Sequence, residues 1–329
     1  MAHELEITDG KASMFFVGET PWHGIGTKLE DPPTIEDAIH FAGLDWEVQR
    51  KQLFMQGDPL DGVDGFSEAP AFANVRSTDK SILGIVGPTY RPLQNLDAFK
   101  WFQPFLDSKD VTLETAGSLR HGKHVWILAR IKRDPIEIVS GDEVLSFVLL
   151  TNSHDGTRSV RASFVGIRVV CANTVAAAHS AKSSKFLKVR HTDKTVDALE
   201  DIRESMKLAD REFVATTDLM KSMANKGVDL VSLKEYVRRV FEPKLVIDAE
   251  VQETKLDNLM ENIIPLFQKG RGNDLPGVKD TMWAAYNSVT EFLTWERGRS
   301  ADTRLENLWL GDAANLAQRA FAVSVAMTG

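Results

Sequence analysis

The sequence predicts an α+β protein: a central antiparallel β-sheet with one helix inserted, followed by a mostly α-helical C-terminal part. Three observations carry this. Between Glu47 and Val170, six or seven stretches alternate apolar and polar residues and are separated by turn residues, as half-buried strands require. One segment among them instead places Phe99, Phe102, Phe105 and Leu106 at helical spacing, with Trp101 beside them. Beyond Ala176 the helical period dominates. The chain thus divides into an irregular N-terminal arm (1–33), an α+β sheet domain (34–192) and a helical region (193–329).

In the arm, two glycines and a proline surround Trp22 and His23, which suggests a bent segment docked by its indole. Thr34 to Gly43 reads as a short helix with Thr34 as N-cap, acids in the first turn and Gly43 as C-cap. Trp46 to Phe54 alternates as a strand. A loop rich in aspartate and glycine runs from Gly57 to Pro70, without the ligand spacing of a calcium loop. Ala71 to Arg76 and Ser81 to Val86 form a hairpin. Asn95 is the expected N-cap of the aromatic helix, which Pro104 bends or ends.

Val111 to Arg133 then makes a hairpin with a cationic tip at Arg120-His121-Gly122-Lys123. Val144 to Leu150 is a strand that stops at the polar knot Thr151-Asn152-Ser153-His154-Asp155-Gly156. The next strand carries Arg158 and Arg161, and Ile167 to Val170 leads to Asn173-Thr174, read as the cap of a helix starting at Val175. Further helices are expected over 195–225, Leu233 to Phe241, Lys255 to Gly270 (kinked or divided by Pro265), Thr281 to Arg297 and Asp312 to Met327.

Apolar content of 43% and charged content of 26% exclude default disorder. A single cysteine, Cys171, excludes an intramolecular disulfide and a zinc site built on paired thiolates. No apolar run approaches the ~20 residues of a membrane helix, and the first residues lack a basic segment with an apolar core, so a cytoplasmic protein without a membrane partner is expected. The net charge of −8 is uneven: residues 111–192 hold 12 lysines and arginines against 6 carboxylates, a net of +6 that leaves −14 for the remainder. Such asymmetry points to an anionic partner for the central segment, or to an acidic helical part packed beside a basic sheet.

Five motifs, Thr20–Thr27 (TPWHGIGT), Tyr90–Asn95 (YRPLQN), Leu150–Thr157 (LTNSHDGT), Arg168–Thr174 (RVVCANT) and Trp283–Glu291 (WAAYNSVTE), together resemble the phage/plasmid-like protein family built on domain of unknown function 932. The resemblance covers essentially the whole chain in order. It implies a bacteriophage, prophage or plasmid setting and supplies neither an activity nor catalytic residues. The order of elements is also loosely similar to the core of Rad52-type single-strand annealing proteins, which form rings or filaments and hold the DNA backbone in a cationic groove. That likeness is one of architecture and transfers no residue.

Three mechanisms compete for the central segment. Arg120, Lys123, Arg130, Lys132, Arg158, Arg161 and Arg168 are candidates to bind single-stranded DNA or another nucleic acid, with Trp126 as a stacking platform. Arg158 and Arg161, three positions apart, face opposite ways in a regular strand and need a turn or bulge to act together. His154 and Asp155 are the alternative, a catalytic pair acting on a phosphate-containing substrate, although strand neighbours face opposite ways. The third reading is structural: Asn152, Ser153 and Asp155 satisfy their own turn, and Asn173-Thr174 caps a helix. Binding leads because the arginines exceed what a turn needs. No cofactor or metal is expected, since two histidines at a turn (His121, His124) near His154 are more simply solvent-facing. A homo-oligomer is expected, and a scaffold or inhibitor of a host or phage protein, acting through the acidic helices, is the remaining alternative.

Overall fold

The computed structural model describes residues 7–8, 11–18, 26–57, 65–168, 173–175, 188–195, 215–242, 249–297, 307–308 and 311–329. After a two-residue pair, β1 (Ile7–Thr8) and β2 (Lys11–Ala12), come β3 (Met14–Val17) and β4 (Thr27–Leu29). The arm read as irregular therefore contributes strands to the main sheet, because Met14, Phe15 and Phe16 are apolar enough to be buried at its edge. Helix α1 (Ile35–Phe41) starts at Thr34, whose hydroxyl accepts from the Asp37 N–H at 3.2 Å.

Strands β5 (Val48–Gln56), β6 (Phe66–Arg76) and β7 (Ile82–Val86) form a separate three-stranded antiparallel sheet. The aromatic helix divides into α2 (Asn95–Lys100) and α3 (Gln103–Asp107), with Pro104 in the first turn of the second, where its missing N–H costs nothing. Then follow β8 (Val111–Leu119), β9 (His124–Ile131), β10 (Ile136–Val139), β11 (Asp142–Ser153), β12 (Val160–Arg168), β13 (Asn173–Val175) and β14 (Lys188–Val189). The main sheet has the order β13-β12-β11-β9-β8-β3-β4, with β10 on β11 and β14 on β12; its pairings are antiparallel except β3 with β4. Asn173 and Thr174 lie in a strand paired with β12 rather than capping a helix. Residues 176–187, where that helix was expected, Thr20–Ile25 and Cys171 lie outside the described residues.

The helical part comprises α4 (residues 215–224), α5 (Leu230–Phe241), α6 (Ala249–Lys269), α7 (Met282–Glu291) and α8 (Asp312–Thr328). Helix α7 opens on Thr281, whose hydroxyl accepts from the Ala284 N–H, and widens into a π turn at Phe292–Glu296. Helix α6 continues through Pro265 as one element, so of the kink or division expected there the division does not occur. Tertiary packing outweighs the lost hydrogen bond there: Ile263 and Phe267 on either side of the proline are buried.

The two faces of the main sheet differ. One, carrying Val125, Ile127, Ala129, Val148 and Leu150, joins α1, α2 and the C-terminal helices in one continuous apolar core. The other carries a smaller cluster of Trp126, Leu128, Phe147, Leu149 and Val165. Strict alternation along β9 and β11 produces this segregation, since a strand turns successive side chains to opposite faces. The central strand β11 is paired along most of its length on both sides, by β9 from Phe147 to Ser153 and by β12 from Val144 to Thr151.

Candidate functional site

The polar knot at the end of β11 is a junction between the two sheets. Its backbone is claimed first: the His154 N–H donates to Lys123 O at 2.7 Å, Asn74 Nδ2 of β6 donates to His154 O at 2.7 Å, and the Tyr90 hydroxyl donates to Ser153 O at 2.6 Å. Gly84 of β7 lies against the Asp155 backbone, so close that a Cβ there would stand 2.4 Å from Asp155 Cα. On the neighbouring tip, Arg120, His121 and Gly122 all take left-handed backbone angles (φ 53, 55 and 80°). Two consecutive non-glycine residues in that region are costly. Arg76 holds the tip by donating to His121 O at 2.6 Å, its guanidinium stacked over Trp46 at 4.6 Å.

His154 and Asp155 lie in the bend just past β11, and each finds a different partner. His154 is fully buried; its ring meets Trp46 edge-on at 5.4 Å, and its Nε2 lies 2.9 Å from Asn95 Oδ1. Since Asn95 Nδ2 donates to Leu44 O and Trp46 O, its oxygen must accept, which assigns the proton to His154 Nε2. Asn95 is thus spent on the histidine and not on a helix cap. Burial, with His191 nearby, depresses the His154 pKa to about 3, so the ring is neutral near pH 7.

Asp155 instead faces His124, with Oδ2 3.2 Å from Nε2, and also accepts from the Ser153 hydroxyl and from the N–H and hydroxyl of Thr157. Burial opposes its ionisation, but the bonds from His124, Ser153 and Thr157 outweigh it and hold the carboxyl well below the usual range. The His124 side chain is 2% exposed and that of Asp155 11%. Tyr90 and His191 stack with ring centroids 4.5 Å apart, and burial depresses the His191 pKa to about 4. Among the described residues, no cluster of three or more His, Cys, Asp or Glu is arranged to hold a metal ion.

The basic candidates separate into three groups. Arg168 is wholly buried: its Nε and Nη2 grip Asp142 at 2.7 and 2.6 Å, and its remaining donors reach Arg271 O, Gly272 O and Asn273 Oδ1. Trp283 Nε1 donates to the same Asp142 carboxylate at 2.8 Å. Arg168 is therefore a bolt between β12 and the helical part and presents nothing to a polyanion. Trp126 is likewise no stacking platform, being 2% exposed within the second apolar cluster. Arg120, Lys123, Arg158 and Arg161 gather near the knot. There the turn before β12 brings Arg158 close enough to Arg161 that, after burial, it helps lower the Arg161 pKa.

Arg130 and Lys132 belong to the opposite end of β9, seven to nine residues or roughly 24–30 Å from Lys123. They line an open groove of about 1070 Å³ with Arg133, Glu114, Leu145 and Phe147. Register explains the company: Arg130 stands between Thr112 and Phe147 on a cross-strand row. Burial raises the Glu114 pKa, against the pull of Arg130 and the hydrogen bond from Thr112.

Sequence reasoning missed Asn74, Arg76 and Asp142, whose roles depend on partners 26 to 141 positions away. Tyr90, Asn95 and Trp283 carried a signal, since each lies within one of the motifs quoted above. A family profile described as "Domain of unknown function (DUF932)" matches residues 82–309, more than half of the chain. No curated protein and no solved structure matches it.

Proposed function

The chain belongs to the DUF932 family, and from that premise, which carries no stated activity, we propose that it binds a single nucleic-acid strand in the groove beside β9, as a non-enzymatic protein of a phage or plasmid in the bacterial cytoplasm. The observation that carries this reading is that Arg130, Lys132 and Arg133 line one open groove together with Leu145, Phe147 and Ile167. Cations neutralise phosphates while an apolar floor accepts bases, the combination that sequence-tolerant strand binders use. Among the described residues no helix is long and apolar enough to cross a membrane.

The catalytic alternative at His154 and Asp155 has less support. A general base needs a titratable group within reach of substrate; His154 is buried and neutral, and Asp155 is consumed by three neighbouring residues.

Fluorescence anisotropy with a labelled single-stranded oligonucleotide tests the proposal. Binding is expected at low salt, weakening as salt rises, and is lost in Arg130→Glu/Lys132→Glu. Absence of binding at low salt, or equal binding by the double variant with its fold intact, sinks it.

A further inference from the structure

One side chain in the groove beside β9 carries the wrong sign for a polyanion. Glu114 lines it together with Arg130, Lys132 and Arg133, and a carboxylate repels phosphate. An irregularity of β8 puts it there. Leu113 pairs with Ala129 and Thr115 with Leu128, so Glu114 is the extra residue of a β-bulge. Such a residue leaves the regular pairing, and its side chain is re-aimed. The Thr112 hydroxyl donates to Glu114 Oε1 at 3.3 Å, the one hydrogen bond to this carboxylate among the described residues. Glu114 is half-buried, whereas Asp134, which also lines the groove, is exposed.

The cations and the carboxylate are spaced along the strands. Thr112 stands opposite Arg130, and the Lys132 N–H donates to Asp110 O, so these basic residues lie level with the start of β8. Glu114 lies two residues beyond Thr112, about 6–7 Å further along β8 and away from Lys132. A strand held by its phosphates at the basic end can turn a base inward to the carboxylate. Phosphate contacts position a strand, and base edges carry its sequence. An ionised carboxylate only accepts, through about four sites on two adjacent oxygens, and Thr112 uses one of them. Among the DNA bases guanine alone sets two donors side by side on its Watson–Crick edge, the N1–H and the N2 amino group. Cytosine and adenine set one donor beside an acceptor there, and thymine sets its N3–H between two carbonyl oxygens, which a carboxylate repels.

We propose that Glu114 is the specificity-determining residue of this groove and selects guanine, accepting from the N1–H and N2–H of an unstacked base. The inference rests on the strand binding proposed above and adds a base preference that cations over an apolar floor do not supply. Burial works against the charge of Glu114 and raises its pKa, and two donors from a base compensate that desolvation. A carboxylate that served only as counter-charge to Arg130 would weaken every strand alike. One that pairs with guanine weakens all strands except those that bring the matching donors, so discrimination comes from repulsion as well as from attraction.

The test is fluorescence anisotropy on the full chain at one low salt concentration, with labelled oligonucleotides of equal length: all-thymine, alternating thymine–guanine, and alternating thymine–inosine. Inosine keeps the N1–H and lacks the N2 amino group. Wild type is expected to bind the guanine strand at least about tenfold more tightly than the thymine strand, within the range of a bidentate base contact, with the inosine strand between them. Glu114→Gln keeps the size of the side chain and replaces one acceptor by a donor. It should bind the thymine strand at least as tightly as wild type does and lose the guanine preference, with circular dichroism checking its fold. Wild-type binding that is equal for the guanine and thymine strands overturns the inference and leaves strand binding standing. So does a guanine preference that inosine retains in full, or one that survives Glu114→Gln. A variant that gains affinity for both strands by the same factor identifies Glu114 as a counter-charge and likewise overturns it. Absence of binding to any of the three strands overturns the proposed function and this inference together. The wild-type comparison of guanine with inosine needs no variant to fold.

Discussion

His124 Nε2 lies 3.2 Å from Asp155 Oδ2, across the end of the β9–β11 pairing, while His154, the residue before Asp155, is turned into the core toward Asn95. The carboxylate and the buried imidazole are therefore separate fixtures of one junction. Replacing each should cost stability in its own way.

His154→Ala removes a buried ring, leaves Asn95 Oδ1 without its donor and opens a cavity against Trp46. A loss of about 2–4 kcal/mol is expected in urea unfolding. Asp155→Ala should cost about 1–3 kcal/mol, because it removes the carboxylate to which His124, Ser153 and Thr157 all bond. A change below ~0.5 kcal/mol for either would show that the junction does not hold the sheets together.

Gly84→Ala tests the same junction from the other sheet. Its new Cβ would meet the Asp155 backbone at 2.4 Å, and a backbone cannot swing aside as a side-chain end can. We expect a loss of about 1–3 kcal/mol from overpacking. A neutral substitution in thermal or urea unfolding would show that the two sheets separate freely.

Acid should weaken the fold through its two buried histidines. His154 and His191 have folded pKa values of about 3 and about 4, below the unfolded value near 6.5. The unfolded chain thus binds their protons first, so their contribution is complete above about pH 6.5 and erodes as pH falls toward 4, at up to about 1.4 kcal/mol per pH unit for each. Asp155, depressed in the fold, adds stability that is lost only at lower pH still. Urea midpoints measured at pH 7.5, 6 and 5 should fall steadily, and a flat series would contradict the assignment.

For the groove, the measurable quantity is a salt slope. Arg130→Ala/Lys132→Ala should lower the dependence of log K on log salt by about 1.4, at about 0.7 per phosphate contact on a single strand. Arg168→Ala should instead cost about 3–5 kcal/mol of stability, by leaving Asp142 charged and buried, and should leave the salt slope of the remaining folded protein unchanged. A reduced slope in the Arg168 variant would return that residue to the binding surface.

The strands were legible because alternation is a local property, and so was the cap at Thr34, which needs only the next three residues. The division of labour among the arginines was not. Arg130, Arg161 and Arg168 look alike in sequence, yet one lines a groove, one sits beside Arg158 and one is sealed against Asp142, a difference set by partners up to 105 positions away. Trp126 was misjudged for a related reason: alternation placed it on a face, but only the assembled sheet shows that this part of the face is covered.

The Asp142–Trp283 bond also orders events in time. Its partners are 141 residues apart, so on a growing chain β11 is finished long before the indole that completes its buried carboxylate exists. Contacts this distant in sequence form late and slowly. Until α7 emerges, Asp142 and Arg168 hold each other at an open seam, and the apolar face lacks the part of its cover that the C-terminal helices supply. A fragment ending near residue 192 would carry every strand described and still lack the surface that closes it, which makes the C-terminal helices the step that commits the nascent sheet to its native state.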